Sequence, residues 1–399
     1  MPIRQLLFAV LVYLVCFSSA RTDEPFFITS TAPIRLLSVN DGEVAPWWQP
    51  DTAPAPDSIT VIDVFSDHPP RTRTVYDTTH SSYWGTPRIA IIGRFGVVTN
   101  HVRRDQWSIQ TKAIGSNEVS VVDLNSNGLT ITDRLDLDFA PYLAVAHPDG
   151  KRLLIGGQGQ WLVYDIDQQG KLAELHRTGV DGTVISFALG RDGQTIIASI
   201  EISETDWALW QFRLNEDNSI TPARQFSSNQ FVIDGPFSPQ VTPNGRYALV
   251  LNGFGMSDGV LDDLLVLDLA EGTVSGRVAQ VADGLENLAI HPSGTFIVVA
   301  CLNEYGSADQ SHLAVIDLEG DSPRLLYYLP VERVPQGIEF SADGSALYVG
   351  TAQANQIVSY RVTGKNLRRL PGVLVTGYGP IALAISEGSA GLTDQLHTK

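Results

Sequence analysis

The stretch GLENLAIHPSGTFIVVACL (residues 284–302) consists of two apolar runs separated by the four residues HPSG. The stretches FAPYLAVAHPDGKRLLIGG (139–157) and VPQGIEFSADGSALYVGTA (334–352) have the same layout, with HPDG and SADG at their centres. Asp-Gly and Ser-Gly pairs favour the tight turn of a β-hairpin. Each stretch therefore predicts two antiparallel strands joined by such a turn.

The same unit recurs along the chain. Two further turns, GRDG (190–193) and TPNG (242–245), also lie between apolar runs. A third strand with alternating apolar residues follows each predicted hairpin, as in DLLVLDL (263–269) and HLAVIDL (312–318), and a more polar fourth strand comes after it, as in RLLYYLPV (324–331). Four strands in a repeat of roughly 40 to 50 residues are typical of a β-propeller blade. We therefore predict an all-β, seven-bladed β-propeller of four-stranded blades.

The two ends of the chain predict how this propeller closes. SITVIDVF (58–65) and RTRTVYDT (71–78) have the pattern of third and fourth strands with no hairpin before them. The last repeat, GYGPIALAIS (377–386), has no strands after it. N-terminal strands that pair with the C-terminal blade would complete a seventh blade and remove open sheet edges. We expect residues 59–64 to pair with the strand near Ala382.

These boundaries divide the chain into four parts. Residues 1–20 have the pattern of a signal peptide, with the basic Arg4, an apolar run at 6–17 and the small residues Ser18-Ser19-Ala20. That run is shorter than the about 20 residues that a membrane span needs. We predict a signal peptide (1–20), an irregular segment (21–57), the propeller (58–388) and a polar tail (389–399).

Cysteine usage and charge limit the classes of function and the cellular locations that fit this sequence. Cys16 lies in the predicted signal peptide, so a mature chain would keep only Cys301, in the apolar run FIVVACL, as a buried core thiol without an intrachain disulfide. The net charge is −17, and scattered acidic residues indicate a solubilising surface rather than a nucleic-acid site, which needs clustered Lys and Arg. We expect a secreted or periplasmic protein with no membrane span after signal cleavage and no nucleic-acid partner.

The units resemble the YVTN-type repeats of exported bacterial propellers, most closely in ALYVGTAQANQIVSYRV (346–362). YDIDQQGKLAEL (164–175) and FRLNEDNSITPARQF (212–226) are similar to units of the related lactonase family. The resemblance implies a seven-bladed propeller and a lactonase-like hydrolase or isomerase that uses His, Arg and Tyr for acid–base chemistry. Lactonase members carry an Arg-His or His pair at the start of an inner strand. The equivalent places here, in APYLAV, GLENLAI and PQGIEF, have no such pair.

In a propeller, the loops that enter the innermost strands and the loops that leave the second strands open on the same face, around the central channel. Residues about 20 apart in the sequence should therefore meet at this channel mouth. We predict catalytic residues among His80, Tyr83, His101 and Arg103. The predicted ligand-binding residues are Asn100, Glu201, Asp258, Glu286, Asn287, Asn303, Glu304, Gln353 and Tyr378, with Trp84, Arg104, Tyr305 and Gln336 beside them.

The predicted pair His80 and His101 is open to several interpretations. Two imidazoles beside a guanidinium and a tyrosine can bind an anion, ligate a metal, or supply an acid and a base. The same histidines can also be ordinary polar loop residues. The acidic residues Glu201, Glu286 and Glu304 can bind calcium or a cationic ligand, or they can be solvated loop carboxylates. The sequence contains no cofactor motif and no histidine spacing that supports a divalent metal. His147 and His291, which belong to turns on the opposite face, are predicted to be structural.

Two functions remain open. The first is an exported propeller that binds a small or oligomeric ligand at the channel mouth and acts on it as a lactonase-like hydrolase or isomerase. The second is a non-catalytic scaffold that presents its rim to a protein partner of the cell envelope. An exposed apolar patch around Trp47, Trp48 and Trp107 would favour the scaffold, whereas an enclosed polar pocket at the mouth would favour the ligand-binding protein.

Overall fold

A computed structural model describes residues 34–42, 55–65, 69–76, 89–104, 113–126, 128–203, 205–253, 258–302, 311–320 and 322–387. The predicted signal peptide and C-terminal tail lie outside these residues. The strands are β1 (Ile34–Asn40), β2 (Ser58–Val64), β3 (Arg71–Tyr76), β4 (Ala90–Ile92), β5 (Phe95–Arg104), β6 (Ala113–Asp123), β7 (Ile131–Asp136), β8 (Pro141–Ala146), β9 (Arg152–Ile166), β10 (Leu172–Leu189), β11 (Thr195–Ser203), β12 (Asp206–Leu214), β13 (Ile220–Phe226), β14 (Pro236–Val241), β15 (Tyr247–Asn252), β16 (Asp262–Asp268), β17 (Thr273–Ala282), β18 (Leu285–Ile290), β19 (Phe296–Cys301), β20 (Ser311–Asp317), β21 (Arg324–Val331), β22 (Pro335–Phe340), β23 (Ala346–Thr351), β24 (Gln356–Thr363), β25 (Asn366–Arg369), β26 (Leu374–Val375) and β27 (Pro380–Glu387).

The described strands form a β-propeller of antiparallel sheets. Their hydrogen-bonded orders are β27-β1-β2-β3, β4-β5-β6-β7, β8-β9-β10-β11-β12-β13, β14-β15-β16-β17, β18-β19-β20-β21 and β22-β23-β24-β25, with β26 also paired to β24. The innermost strands contact one another in the order β4, β8, β10, β14, β18, β22 and β27, and β27 contacts β4. The all-β propeller predicted from the repeats is confirmed.

The predicted number of blades is wrong, because the described strands form six sheets rather than seven. The difference lies in two long strands, β9 and β10. Residues 160–166 of β9 pair with the first half of β10, and residues 183–189 of β10 pair with β11. Thr183 also pairs with Gln158. Strand pairing between β9 and β10 therefore continues beyond the point at which the sequence predicted a boundary between two blades. Two predicted repeats therefore share one six-stranded sheet.

The predicted strand order at the chain ends also needs correction. Residues 59–64 in β2 do not pair with the strand near Ala382, because β1 lies between them: Leu37 is opposite Val61 on one side and Ala384 on the other. Strand β1 falls in the segment 21–57 that was predicted to be irregular. All seven of its residues are buried.

A buried ion pair lies within this sheet, on the side of the propeller away from the channel mouth, and its arginine and a second one connect the sheet to its neighbour. Arg35 Nε donates to Asp63 Oδ1 at 2.6 Å, and both residues are almost fully buried. A second guanidinium, Arg73, donates to the carbonyl oxygens of Leu124 and Ser126, each at 2.7 Å, in the loop after β6. The carbonyl groups of one sheet are therefore satisfied by side chains of the next.

The five predicted hairpin turns are confirmed. Their last residues, Gly150, Gly193, Gly245, Gly294 and Gly344, have φ between 69° and 73°. Each glycine N–H donates to the carbonyl of the first turn residue, for example Gly294 to His291 at 2.7 Å. A positive φ disfavours any side chain with a Cβ, which explains why glycine ends every turn.

The two turn histidines connect neighbouring turns, in agreement with their predicted structural role. His147 Nε2 lies 3.0 Å from the carbonyl oxygen of Gly193, and His291 Nε2 lies 3.1 Å from that of Gly344. Burial lowers the pKa of His291. The neutral ring suits this site, because Nε2–H donates to Gly344 while Nδ1 accepts from Ser293.

Large apolar side chains fill the spaces between sheets. One cluster joins Val97 and Val119 of one sheet to Leu153 and Ile155 of the next. Cys301 is fully buried in another cluster, and burial raises its pKa to about 12, as expected for the inert core thiol predicted from the sequence. No helix in the described part of the chain is long and apolar enough to cross a membrane.

The contact between neighbouring turns can be tested with two matched substitutions, Gly193→Ala and Gly150→Ala. Both glycines have positive φ, so each alanine should cost about 1 kcal/mol of unfolding free energy. A Cβ on Gly193 would lie 2.6 Å from His147 Nε2, whereas one on Gly150 meets no atom within 4 Å. We expect Gly193→Ala to lose about 1–2 kcal/mol more in urea unfolding. Equal losses would show that the histidine contact adds no stability.

Candidate functional site

The candidate site lies where the innermost strands begin and the second strands end. At one end of the propeller, residues of an innermost strand lie opposite residues of the second strand: Thr183 pairs with Glu201, Pro236 with Asn252, and Pro335 with Thr351. The predicted convergence of residues about 20 apart is therefore correct for these strands. We call this side of the propeller the mouth face, and the side with the hairpin turns the opposite face.

A β-bulge or register shift interrupts six innermost strands close to the mouth face. The shifts occur at Tyr142, Ile185, Ser238 with Pro239, Glu286, Gln336 with Gly337, and Ile381. A bulge inserts an extra residue and changes the direction of nearby side chains, and such irregularities occur frequently beside active sites. The propeller therefore presents irregular backbone around its channel at one level.

His101 and Tyr142 form the aromatic part of the site. His101 is 5% exposed, and its ring stacks on Tyr142 with centroids 4.0 Å apart and an interplanar angle of 15°. Thr99 Oγ1 donates to the carbonyl oxygen of Tyr142 at 3.3 Å, which connects the same two strands through the backbone. A residue on β5 and a bulge residue on β8 are thus held in contact across two sheets.

Burial raises the pKa of Tyr142, and the negative charge of Glu201 raises it further. Tyr142 therefore keeps its proton at neutral pH and remains a hydrogen-bond donor. Glu201 lies at the mouth end of β11, and its carboxylate is near enough to act electrostatically on Tyr142, which stacks on His101.

A line of polar contacts continues around the channel from β10 to β18. The Ser238 N–H donates to Ser186 Oγ at 3.1 Å, and Ser238 Oγ donates to Asn287 Oδ1 at 2.7 Å. Ser238 has φ of 47°, a left-handed conformation that is costly for a residue with a Cβ. Strain of this kind concentrates at functional sites, where the surrounding structure maintains it.

The next contact in the same direction joins two bulge residues. Gln336 Nε2 donates to Glu286 Oε1 at 3.2 Å. Glu286 is 7% exposed, while the buried Oε1 atom of Gln336 accepts no hydrogen bond. These side chains bring a carboxylate and an amide oxygen to the channel between β18 and β22.

Asn100 is the most unusual polar residue of the mouth face. It is 0% exposed, and neither Oδ1 nor Nδ2 has a hydrogen-bond partner. An unsatisfied buried amide costs about 1–3 kcal/mol. A group of this kind in a folded protein calls for a partner such as a water molecule or a ligand.

The structure brings together part of the predicted site. Asn100, His101, Glu201, Glu286 and Asn287 lie at the mouth ends of their strands. Asp258 lies in the loop before β16, Gln353 in the 3-10 turn after β23, and the exposed Tyr378 in the loop before β27. Of the other predicted residues, Arg103 and Arg104 are described only as backbone of β5, and His80, Tyr83, Trp84, Asn303, Glu304 and Tyr305 lie outside the described residues, as do Trp47, Trp48 and Trp107.

Three residues of the site were not predicted from the sequence: Tyr142, Ser186 and Ser238. Their strands were predicted, but the apolar pattern of the sequence does not reveal the bulges that redirect these side chains. Tyr142 could have been found from its position, because APYLAV was already aligned with the inner-strand starts at which lactonase-family members carry functional residues.

Two carboxylates fix the loop before β16 to the beginning of β18. Asp262 Oδ2 accepts the backbone N–H groups of Gly284 and Leu285, at 2.9 and 3.1 Å. Asp283 accepts those of Asp258 and Gly259, at 2.9 and 3.1 Å. Burial raises the pKa of Asp262 to about 6, with a further contribution from the charges of Asp258 and Asp283.

The described mouth-face loops contain more acidic than basic residues, and arginines of the strands offset part of this difference, because Arg177 pairs with Asp138 and Arg369 with Glu332. Within the described residues, the one basic side chain in these loops is Arg333, and the acidic ones are Asp41, Asp57, Asp138, Asp234, Asp258, Asp283 and Glu332. The loops of the opposite face are mixed. Their described acidic residues are Asp149, Asp167, Asp192, Glu216, Asp217, Glu271, Glu319 and Asp343, and their basic ones are Arg94, Lys151, Lys171, Arg191, Arg246 and Lys365.

The described residues contain no group of three or more His, Cys, Asp or Glu side chains arranged to hold a metal ion. The chemistry that they do offer at the mouth is proton transfer and hydrogen bonding, from an imidazole, a phenol, carboxylates, amides and hydroxyls.

Comparisons with known proteins support the fold. The chain is similar to a candidate 6-phosphogluconolactonase from Bacteroides fragilis, with 14% identity and a TM-score of 0.64 over 90% of this chain and 99% of that one. It is also similar to a periplasmic gluconolactonase from Pseudomonas aeruginosa (14% identity, TM-score 0.59, 89% and 99%). The hydrazine synthase of Kuenenia stuttgartiensis is a third similar structure (16% identity, TM-score 0.58, 79% and 99%).

No model of a known family and no curated protein matches the sequence. Similarity at these identities shows a shared β-propeller fold, but it does not show that the proteins share an activity.

The buried carboxyl of Asp262 predicts a pH dependence of stability. Its pKa is raised in the folded state, so its stabilising contribution is complete below about pH 4 and is lost as the pH rises to about 6. Asp262→Asn removes this titration. Allowing for solvent screening, the unfolding free energy of the variant relative to wild type should increase by about 1–2 kcal/mol between about pH 4 and pH 7.

Urea unfolding across this pH range measures the effect, and Asp206→Asn controls for the loss of an exposed carboxylate on the same face. A difference between Asp262→Asn and wild type that stays constant with pH would show that Asp262 ionises normally in the folded protein.

Proposed function

We propose that this protein binds a small ligand at the mouth of its central channel and hydrolyses it as a lactonase-like enzyme. Tyr142, His101 and Glu201 form the reacting edge of the site, and the hydrogen-bonded groups from β10 to β22 bind the rest of the ligand. The neighbours described as gluconolactonases support the reaction class. The stacked imidazole and phenol beside a carboxylate support the location.

In this proposal the Tyr142 hydroxyl donates a hydrogen bond to the carbonyl oxygen of the lactone. Its raised pKa suits this role, because the phenol remains protonated while negative charge develops on that oxygen. His101 accepts a proton from water as the water oxygen bonds to the carbonyl carbon. The ring C–O bond then breaks, and the leaving alkoxide takes the proton from the imidazolium to give a hydroxy acid.

The remaining groups bind and orient the ligand. The unpaired amide of Asn100 and the free oxygen lone pairs of Gln336 supply hydrogen bonds that a ligand with hydroxyl or carbonyl groups completes. Asn287 and Glu286 add polar groups from β18. Four residues predicted from the sequence that lie outside the described part of the chain also belong to this proposal, together with Arg103: His80, Tyr83, Asn303 and Glu304.

The contact between His101 and Tyr142 carries this proposal, and Tyr142→Phe tests it. The substitution keeps the stacked ring and removes only the hydroxyl. We expect kcat for lactone hydrolysis to fall about 100-fold with little change in KM. Tyr247→Phe, at the far end of β15, is the matched control. Full activity of Tyr142→Phe would remove the phenol from the mechanism.

We propose further that the protein is exported. The charged, apolar and small-residue pattern of residues 1–20 supports this. After expression in a bacterial host, the mature chain should begin at Arg21, as determined by N-terminal sequencing of protein released from the periplasm. A chain that retains residues 1–20 and stays in the cytoplasm would contradict the proposal.

A further inference from the structure

Exposed apolar side chains are distributed unevenly between the two faces. Of the large apolar residues that are exposed in the described part of the chain, none lies in a loop of the opposite face. Leu175 and Tyr328 lie within the strands β10 and β21. The others lie in the loops or at the strand ends of the mouth face: Tyr76, Ile202, Val232, Val260, Leu261, Val373, Val375 and Tyr378. Grouped exposed apolar residues are typical of interaction surfaces.

Three of these residues form one patch beside the mouth end of β15. We call this the rim patch, and it consists of Val232 (77% exposed), Val260 (61%) and Leu261 (49%). Asn252, the last residue of β15, donates from Nδ2 to the carbonyl oxygen of Val232 at 3.2 Å. Asn252 also pairs in register with Asp263, two residues after Leu261. The two loops that carry the patch therefore meet at the same strand end.

Hydrogen bonds hold both loops of the rim patch in place. Asp283 accepts the backbone N–H of Asp258 at 2.9 Å, and Asp258 Oδ1 accepts that of Val260 at 2.8 Å. In the other loop, the N–H of Asp234 donates to Asn252 Oδ1 at 2.9 Å. The apolar side chains are thus presented to solvent by ordered backbone, which lowers the entropy cost of binding a partner.

Two exposed carboxylates, Asp234 and Asp258, flank the rim patch, and neither forms an ion pair within the described residues. Arg277 lies nearby but is paired with Asp263 at 2.8 Å. The neighbouring residues 254–257, FGMS, contain no charged side chain. A complementary surface would therefore combine apolar side chains with Lys or Arg.

The other apolar loop of the mouth face differs in this respect. Val373 and Val375 are also exposed, and Val375 pairs with Gln356. The carboxylate that Gln356 contacts, Glu332, is already paired with Arg369. Exposed apolar residues and unpaired carboxylates therefore occur together at the rim patch but not at this second loop.

We propose that the rim patch binds a protein partner through a segment that carries apolar side chains flanked by Lys or Arg. The apolar side chains of the partner cover Val232, Val260 and Leu261, and its cations pair with Asp234 and Asp258. This interaction is separate from the proposed lactone hydrolysis, because it uses none of the residues assigned to the reacting edge.

The test uses a phage-displayed library of random peptides, panned against the purified protein at low salt. We expect the enriched peptides to combine apolar residues with several Lys or Arg residues. The affinity of a synthetic copy of the most enriched peptide, measured by isothermal titration calorimetry, should decrease at about 0.5 M salt, because screening weakens the ion pairs.

Matched double variants locate the binding surface. Val260→Ser/Leu261→Ser should lower the affinity for this peptide at least about tenfold, because it removes apolar contact area. Val373→Ser/Val375→Ser, the control at the second loop, should leave the affinity unchanged. Asp234→Asn/Asp258→Asn should lower it about three- to tenfold at low salt and have little effect at about 0.5 M salt. The amide at position 258 keeps an acceptor for the Val260 N–H.

Three results would overturn the proposal. They are enrichment of peptides without Lys or Arg, an affinity that Val260→Ser/Leu261→Ser does not change, and equal losses in the two apolar variants. Sedimentation velocity tests a different occupant. Self-association of the wild-type protein that Val260→Ser/Leu261→Ser abolishes would assign the rim patch to a second copy of this chain instead. Urea unfolding of each variant checks that these surface substitutions leave the fold intact.

Discussion

The propeller depends on the placement of one strand, β1. It pairs over its whole length with β2 on one side and with β27 on the other, so residues from the two ends of the chain share one sheet. Because every residue of β1 is buried, the chain cannot expose this strand without losing apolar packing against both neighbours. The buried pair of Arg35 and Asp63 adds a polar constraint on its register, because a shift by one residue would move Arg35 away from its carboxylate.

The mouth follows from a second constraint, the bulges near the beginning of the innermost strands. A regular strand would alternate side chains between its two faces from the first residue onward. The extra residue in six of these strands interrupts that alternation and places Tyr142, Ser238, Glu286 and Gln336 at one level. Side chains from different sheets then meet directly, as His101 does with Tyr142 and Ser238 with Asn287.

The repeat could be predicted from the sequence because its signals are local. A turn glycine with positive φ and alternating apolar residues are set by neighbours in the chain, so the hairpins and the third strands were found. Strand β1 was missed because IRLLSVN lies between proline-rich stretches and is buried on both faces, which removes the alternation that marks a half-buried strand. The fusion of two units through β9 and β10 depends on the pairing of Thr183 with Gln158, a contact that no local pattern encodes.

The same difference between local and long-range signals explains which site residues could be predicted from the sequence. Asn100, His101, Glu201, Glu286 and Asn287 were predicted from strand position, whereas the roles of Tyr142 and Ser238 depend on bulges and on contacts between sheets.

Residues in costly conformations occur on both faces of the structure. The five hairpin turns of the opposite face end in glycines with positive φ, while Leu129 and Asn218 have positive φ in other turns of that face. The mouth face contains a serine with positive φ, a buried amide without partners and a buried carboxyl with a raised pKa. Groups of this kind lower the stability of a fold and are common at functional sites. A ligand that pairs with the Asn100 amide would recover part of this cost on binding, so the features that destabilise the empty mouth are the ones that would favour its occupation.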